Sequence, residues 1–294
     1  VSHEGEVGLR VAIIGGAGRM GRWLIEHFLN QGHTITISDA NEEEARRVAE
    51  SKGVKLAADN IEASRDADLI VISTPIEVTP TVIREVMPEA KRGSTIMEIS
   101  SLKSGVIQAL KEASEAGVRA LSIHPLFGPG VKRLAGERIA LIPIKDGEAE
   151  AEEAGKLFPE AEIIIVGAEE HDRAMALTLA IPHILNIAFS SLVGEEDIRS
   201  LKRLGGTTFK LQLVLGEGVM AGDPHLYASI QMGNKYTVDS LDRLISRLED
   251  MRRWIVHGDR ESFIEFYRSV YSSISRDEDF QRAYERMYRA LEAL

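Results

Sequence analysis

The sequence predicts an α/β chain in which a parallel sheet with helices on both faces, a Rossmann-type domain, is followed by an all-α domain. Three observations predict it. Short β-branched apolar runs alternate with helical patterns through the first half. A glycine-rich turn joins the first run to the first helix. Beyond Gly167 no convincing strand recurs, while long 3.6-period stripes do. At 294 residues, 44% hydrophobic and 28% charged, the chain is long enough for two cores.

The expected strands are Val11 to Gly15, Thr34 to Ser38, Leu69 to Ser73, Thr95 to Ile99 and Ala120 to His124. Between the first two, Met20, Trp23, Leu24, His27 and Phe28 form one helical stripe. Strand–helix–strand alternation implies parallel pairing with helices on both faces, and Ile139 to Ile144 and Ile163 to Val166 extend the sheet. After Gly167, Ile181 to Val193 is apolar nearly all round and reads as a buried helix. Leu241, Leu244, Ile245, Leu248, Met251 and Ile255 mark a long amphipathic helix, and Phe263, Phe266, Val270 and Ile274 another. The domains are therefore expected at 1–167 and 168–294. Helices with this much apolar surface point to burial against a second copy, a homodimer through the second domain.

Charge and composition exclude several classes. With 46 acidic and 35 basic residues the net charge is -11, which argues against a nucleic-acid binder and means that an anionic substrate needs a locally basic pocket. No cysteine is present, so thiolate nucleophiles and zinc–thiolate sites are excluded, no metal is expected, and a cytoplasmic setting is compatible. No apolar run is read as reaching the ~18 residues of a membrane span. The polar start, Val1 to Gly8, lacks the apolar centre of a signal peptide and an initiator Met.

The glycine turn reads Gly15-Gly16-Ala17-Gly18-Arg19-Met20-Gly21, a G-x-G-x-x-G between a strand and a helix. In that context Gly16 permits the turn, Gly18 lets backbone approach a pyrophosphate, and Gly21 lets helix and strand pack closely. The helix start at Ala17, Arg19 and Met20 offers free N–H groups to phosphates. This is a Rossmann-type dinucleotide site. Asp39, ending the second strand, is placed to accept from both ribose hydroxyls and to repel a 2′-phosphate, which favours NAD; its bland alternative is a helix cap before Glu42, Glu43 and Glu44. Arg46 and Arg47 come too late along the helix to meet such a phosphate. Ser73, Thr74 and Pro75 end a strand at the carboxyl edge, where open α/β sheets bind ligands.

Two further runs reach the same edge. Glu98-Ile99-Ser100-Ser101-Leu102-Lys103 is either a helix cap or a catalytic turn, or both. His124-Pro125-Leu126-Phe127-Gly128-Pro129-Gly130 puts a histidine at a strand end beside a Gly/Pro loop, where it would meet a nicotinamide.

Together the Gly-Gly-x-Gly-x-Met-Gly opening, the Ser-Ser-x-Lys turn and the His-Pro-x-Phe-Gly-Pro run resemble the prephenate dehydrogenases, from about Leu9 to Glu285. His171-Asp172, Pro182-His183 and Asp223-Pro224-x-Leu-Tyr227 resemble that family's helical dimerisation domain. The resemblance implies oxidative decarboxylation of prephenate to 4-hydroxyphenylpyruvate with hydride transfer to NAD, in tyrosine biosynthesis. It implies His124 as the base on the ring hydroxyl, Ser101 as a partner of that hydroxyl, and Lys103 as a residue that orients the site or binds a carboxylate. It implies His183 as a substrate contact, with a core histidine bonded to a carbonyl freed by Pro182 as the alternative; His171 is open between a site and a surface or capping role. The family usually carries an arginine five residues before the Asp-Pro pair, and here Gly218 stands there. Lys132 and Arg133, or Lys210, are then the candidate cations for a substrate carboxylate. Arogenate is the alternative substrate. A β-hydroxyacid-type dehydrogenase would need a glycine-led catalytic lysine, of which no run appears between Ile163 and Leu192; a catalytically silent nucleotide-binding regulatory protein is the third reading.

Overall fold

The computed structural model describes residues 8–293; the polar start up to Val7 lies outside them. The chain divides into two compact units, the first closing at Met175 and the second opening at Ala176. The division comes after Met175 and not at Gly167 because His171 and Asp172, on the first two turns of the helix that follows Gly167, bond to the first unit.

The first unit is one eight-stranded sheet in the order β3-β2-β1-β4-β5-β6-β7-β8. Its strands are β1 (Arg10–Ile14), β2 (Thr34–Ser38), β3 (Lys55–Leu56), β4 (Leu69–Ile72), β5 (Thr95–Glu98), β6 (Arg119–Pro125), β7 (Arg138–Ile142) and β8 (Glu162–Ile165). Helices α1 (Arg19–Asn30), α2 (Glu42–Lys52), α3 (Asn60–Ser64), α4 (Thr79–Val86), α5 (Ile107–Glu115) and α6 (Gly147–Leu157) cover it, and α7 (Ala168–Met175) ends the unit. Alternation along the strands builds two cores. Val11, Ile13, Ile35 and Val71 pack under α1, α2 and α6, while Ala12, Ile14, Ile70 and Ile96 pack under α3, α4 and α5. The order reverses between β1 and β4, the switch point at which such sheets bind ligands.

One pairing departs from the expected parallel sheet: β7 runs antiparallel to β6. The connection 126–137 contains no helix, so the chain turns back beside β6 without the crossover a parallel return requires. The two-residue β3, too short to show a period, was not expected at all.

The second unit is helical: α8 (Ile181–Gly194), α9 (Ile198–Leu204), α10 (Thr207–Met220), α11 (Pro224–Gly233), α12 (Thr237–His257), α13 (Arg260–Ile274) and α14 (Ala283–Glu292). Close packing of α8 and α10 depends on Gly216, whose missing Cβ would lie 2.6 Å from Ser190 Oγ. Trp254 joins α12 to α13 through Phe266, with ring centroids 5.5 Å apart. The expectation that α8 is buried all round fails: Leu185, Ile187 and Leu192 are exposed, as are Leu215, Met232, Ile255 and Ile274 on neighbouring helices. Seven helices of this composition have more apolar face than one chain can cover. Among the described residues, the helix Ala168–Gly194 is long and apolar enough to cross a membrane by length and composition only. The same composition marks a core helix of a helical domain.

Candidate active site

The glycine turn folds as a cradle at the end of β1. Its left-handed residue is Gly15 (φ 82°), one position before the glycine expected to make the turn. A Cβ on Gly15 would lie 2.3 Å from the Ser73 carbonyl oxygen, so the turn and the end of β4 are in backbone contact. A Cβ on Gly21 would lie 2.2 Å from Gly15 O, which is the close helix approach expected of the third glycine. Gly18 is exposed and heads α1 without a side-chain cap, so the first N–H groups of Arg19 and Met20 face the mouth of the turn. Trp23 ties α1 to the loop after β6: its indole Nε1 donates to Val131 O (2.8 Å), and its ring meets Phe127 edge-on.

Asp39 is not the cap of α2; Asn41 is, accepting from Glu44 N. Asp39 instead accepts from Ala17 N through Oδ2 and from Asn41 N through Oδ1, each at 2.9 Å. Its carboxylate is thereby held against the glycine turn. Arg47 pairs with Glu43 and Glu44, and Arg22 pairs with Glu44 and donates to Ala17 O (2.8 Å). These contacts engage the guanidinium groups of Arg47 and Arg22. An uncapped helix start, a glycine cradle and a carboxylate at the second strand's end fit a dinucleotide.

The second cluster lies beside the ends of β5 and β6. Register places Glu98 beside Ser122, and β6 runs on past that level, so His124 stands beyond the end of β5. Glu98, fully buried, accepts from Lys103 Nζ (2.6 Å) and the Ser122 hydroxyl through Oε1, and from Ser100 N (2.7 Å) through Oε2. Lys103 Nζ donates as well to Ile123 O (2.6 Å), the carbonyl preceding His124. The ammonium is 0% exposed, so Lys103 is not available to a substrate carboxylate; the orienting alternative is the one its contacts allow. Burial pushes its pKa below the usual lysine value, against the pull of Glu98.

The middle of α7 completes the cluster. His124 Nδ1 lies 2.9 Å from His171 Nε2, and His171 Nδ1 lies 2.9 Å from Asp172 Oδ1. Asp172 Oδ1 accepts from Lys103 N (2.8 Å), and Oδ2 from the amide and hydroxyl of Ser104 (2.9 and 2.5 Å). Burial would raise the Asp172 carboxyl, but the bonds from His171, Ser104 and the Lys103 amide hold it at about 2. His124 is 6% exposed and its pKa lies well below the usual 6.5, first through burial, then through the Lys103 ammonium. A buried imidazole held neutral at pH 7 is suited to accept a proton.

The remaining candidates divide. Ser101 is half-buried, and neither it nor Ser100 caps α5, whose N-cap is Val106 with no side-chain bond; the Ser100 hydroxyl reaches Thr79 (3.3 Å). Ser73 and Thr74 are half-buried beside the glycine turn, with Thr74 bonded to Thr79 (3.0 Å), and Pro75 is exposed. Lys132 and Arg133 are exposed on the loop after β6. In the second unit His183 meets Tyr227 edge-on at 4.7 Å, and its buried Nδ1 has no partner among the described residues, so it is not the carbonyl-bonded core histidine of the alternative reading. Gly218 lies in α10 with open space around its Cβ position. Glu98 and Asp172 were quoted in the sequence without a role. The signal available was an acidic residue closing an otherwise apolar strand, and a carboxylate adjoining a histidine.

Comparison with known proteins is consistent across the chain. Residues 26–152 match the family model described as prephenate dehydrogenase, nucleotide-binding domain, and residues 167–269 match prephenate dehydrogenase, dimerization domain. A probable arogenate/prephenate dehydrogenase of Methanocaldococcus jannaschii is 27% identical over 269 residues, covering 89% of this chain and 60% of that protein. The T-protein of Enterobacter agglomerans is 28% identical over 269 residues, covering 88% and 66%. The chain thus spans about two thirds or less of these relatives. The crystal structure of an A. aeolicus prephenate dehydrogenase in complex with hydroxyphenyl propionate and NAD+ has the same fold, with a TM-score of 0.73 over 94% of this chain and 100% of that one, at 16% identity.

Proposed function

We propose that this chain, which belongs to the prephenate dehydrogenase family, oxidises prephenate with NAD and releases its ring carboxylate as CO2, giving 4-hydroxyphenylpyruvate for tyrosine biosynthesis. It acts as a cytoplasmic homodimer through the exposed apolar faces of its helical unit. The observation that carries the reading is His124: a buried, neutral imidazole beyond the end of β5, with its Nδ1 bonded inward.

The chemistry follows from that placement. Bound NAD would supply the hydride acceptor, held by Gly16, Ala17, Gly18, Arg19, Met20, Gly21 and Asp39, with Ser73, Thr74 and Pro75 lining the nicotinamide half. His124 takes the proton of the ring hydroxyl while the carbon bearing it gives up its hydride. The product ketone is a vinylogous β-keto acid, so the C–C bond to the ring carboxylate breaks, CO2 leaves, and its electron pair completes an aromatic ring. Such a base contributes about 10²–10⁴-fold. Ser101 shares the hydroxyl; its freedom from capping supports this. Lys103 does not touch substrate; it positions the Ile123 carbonyl and Glu98 beneath His124. Lys132 and Arg133 supply cations for the substrate carboxylates, and the unpartnered ring nitrogen of His183 supports a substrate contact in the second unit.

The test is turnover of prephenate and of arogenate with NAD and with NADP. No turnover of either substrate sinks the reading, and higher kcat/KM for arogenate moves it to that substrate. His124→Asn should bind NAD normally and lose about 10²-fold or more in kcat.

A further inference from the structure

We infer that His171 and Asp172 form a relay that fixes His124 as a base at Nε2 and takes up the positive charge when the substrate proton arrives. The inference rests on His124 being the base, and it assigns two residues to the reaction that do not themselves meet substrate.

Hydrogen-bond direction sets the tautomers. Asp172 is ionised and can only accept. Its Oδ1 lies 2.9 Å from His171 Nδ1, so that nitrogen carries the hydrogen. With one hydrogen on each imidazole, His171 has its lone pair at Nε2, 2.9 Å from His124 Nδ1, and the shared hydrogen belongs to His124 Nδ1. The lone pair of His124 is left at Nε2, the nitrogen not used in the chain. One carboxylate thus sets two tautomers in series, the orienting logic of a catalytic triad with one imidazole inserted.

Two states of this chain differ by one proton. In the first, both imidazoles are neutral. In the second, the substrate O–H bond has broken, its proton is bonded to His124 Nε2, and the hydrogen of His124 Nδ1 has passed to His171 Nε2. His124 stays neutral, and the charge rests on His171 against the Asp172 carboxylate. The alternative, a charge kept on His124, is opposed by its burial and by the Lys103 ammonium, itself tied to Glu98. The carboxylate that receives the charge is fastened from the other side by the Lys103 amide and by both donors of Ser104. The chain is therefore stiff: β6 supplies His124, α7 supplies His171 and Asp172, and the turn after β5 holds the far end. The sequence separates His124 from His171 by the whole of β7, α6 and β8, so only the folded unit brings them together.

The test combines a spectrum with kinetics. Protein labelled with ¹⁵N-histidine, without substrate, is examined by long-range ¹H–¹⁵N correlation at pH 7.5. The expected result is His124 in the Nδ1–H form. Asp172→Asn, which can present an N–H to His171, should shift His124 toward the Nε2–H form and lower kcat about 10²-fold or more, with KM for NAD unchanged. His171→Gln can still accept from His124, so it should keep the tautomer and yet lose a comparable factor in kcat, because an amide cannot take the charge. A parent His124 in the Nε2–H form overturns the relay, even if the variants do not fold. Folded variants whose kcat stays within about twofold of the parent overturn it as well. The spectrum is read without substrate, so failure to turn over prephenate would count against the proposed reaction and leave the tautomer result standing.

Discussion

Asp39→Asn isolates the basis of cofactor choice. In the parent each carboxylate oxygen accepts one backbone N–H, Oδ1 from Asn41 and Oδ2 from Ala17, both at 2.9 Å. Each oxygen has a second acceptor position, enough for one ribose hydroxyl apiece. Asparagine keeps one oxygen and turns the other into an NH2, which sets a donor against a backbone donor and against a ribose hydroxyl. Losing one bond to a charged acceptor costs about 1.5–3 kcal/mol, so kcat/KM for NAD should fall by about 10- to 150-fold at ~1.4 kcal/mol per decade. For NADP the same change removes a repulsion. A carboxylate about 5 Å from a phosphate charge, at an effective dielectric of about 20, costs about 3 kcal/mol before salt screening. The recovery should be smaller than that, about tenfold, because Arg47 is engaged by Glu43 and Glu44 and Arg22 by Glu44 and Ala17 O, which leaves neither free to neutralise a phosphate. The preference for NAD should therefore narrow by about 10²- to 10³-fold. The assay is kcat/KM for each cofactor at saturating substrate and fixed ionic strength. A parent that uses NADP as well as NAD, or a variant whose ratio is unchanged, would refute the reasoning.

Four further outcomes are expected. Lys103→Met leaves the buried Glu98 carboxylate with only Ser122 and the Ser100 amide, and should destabilise the fold by about 3–5 kcal/mol in urea melts; a loss below about 1 kcal/mol would mean that the pair is not enclosed as described. The folded His124 titrates well below 6.5, so kcat/KM for substrate should stay level as pH falls to 6.5 and decline only below it; an acid limb centred at or above 6.5 contradicts the site. His27, His124 and His183 are all depressed by burial, so unfolded chains bind more protons below pH 6.5, and Tm should fall as pH drops from 6.5 and not between 8 and 6.5. Lys132→Ala or Arg133→Ala should raise KM for substrate, lowering kcat/KM about ten- to hundredfold for one charge-assisted bond, with NAD affinity unchanged; parental kinetics in both would place the compensating cation elsewhere, with Lys210 next to be tested.

Where a segment's structure follows from its own pattern, sequence reading was sufficient. Thr34–Ser38 is the strand expected to the residue, and α12 and α13 occupy their stripes, because burial on one side repeats at the period of the element itself. The glycine turn was legible for the same reason: its own backbone leaves no space for a Cβ at Gly21 and takes a positive φ at Gly15. Asp39 was placed by its distance from that turn, though not its bond to Ala17. Lys103 shows the opposite case. Ser-Ser-x-Lys is the same string whether the ammonium meets solvent, a substrate or Glu98, and only the Glu98–Ser122 register decides among them.

What the sequence by itself determined is the set of elements, the dinucleotide cradle and the histidine at a strand end, since each depends on neighbours within a few residues. Tertiary structure alone decided the direction of β7, the enclosure of Lys103, the uncovered faces of α8 and the line from Asp172 through His171 to His124. These depend on which distant surfaces come to share a boundary. The physical reason is that a hydrogen bond or a buried charge is a property of two partners at about 3 Å, and separation along the chain carries no information about that distance until the sheet is assembled.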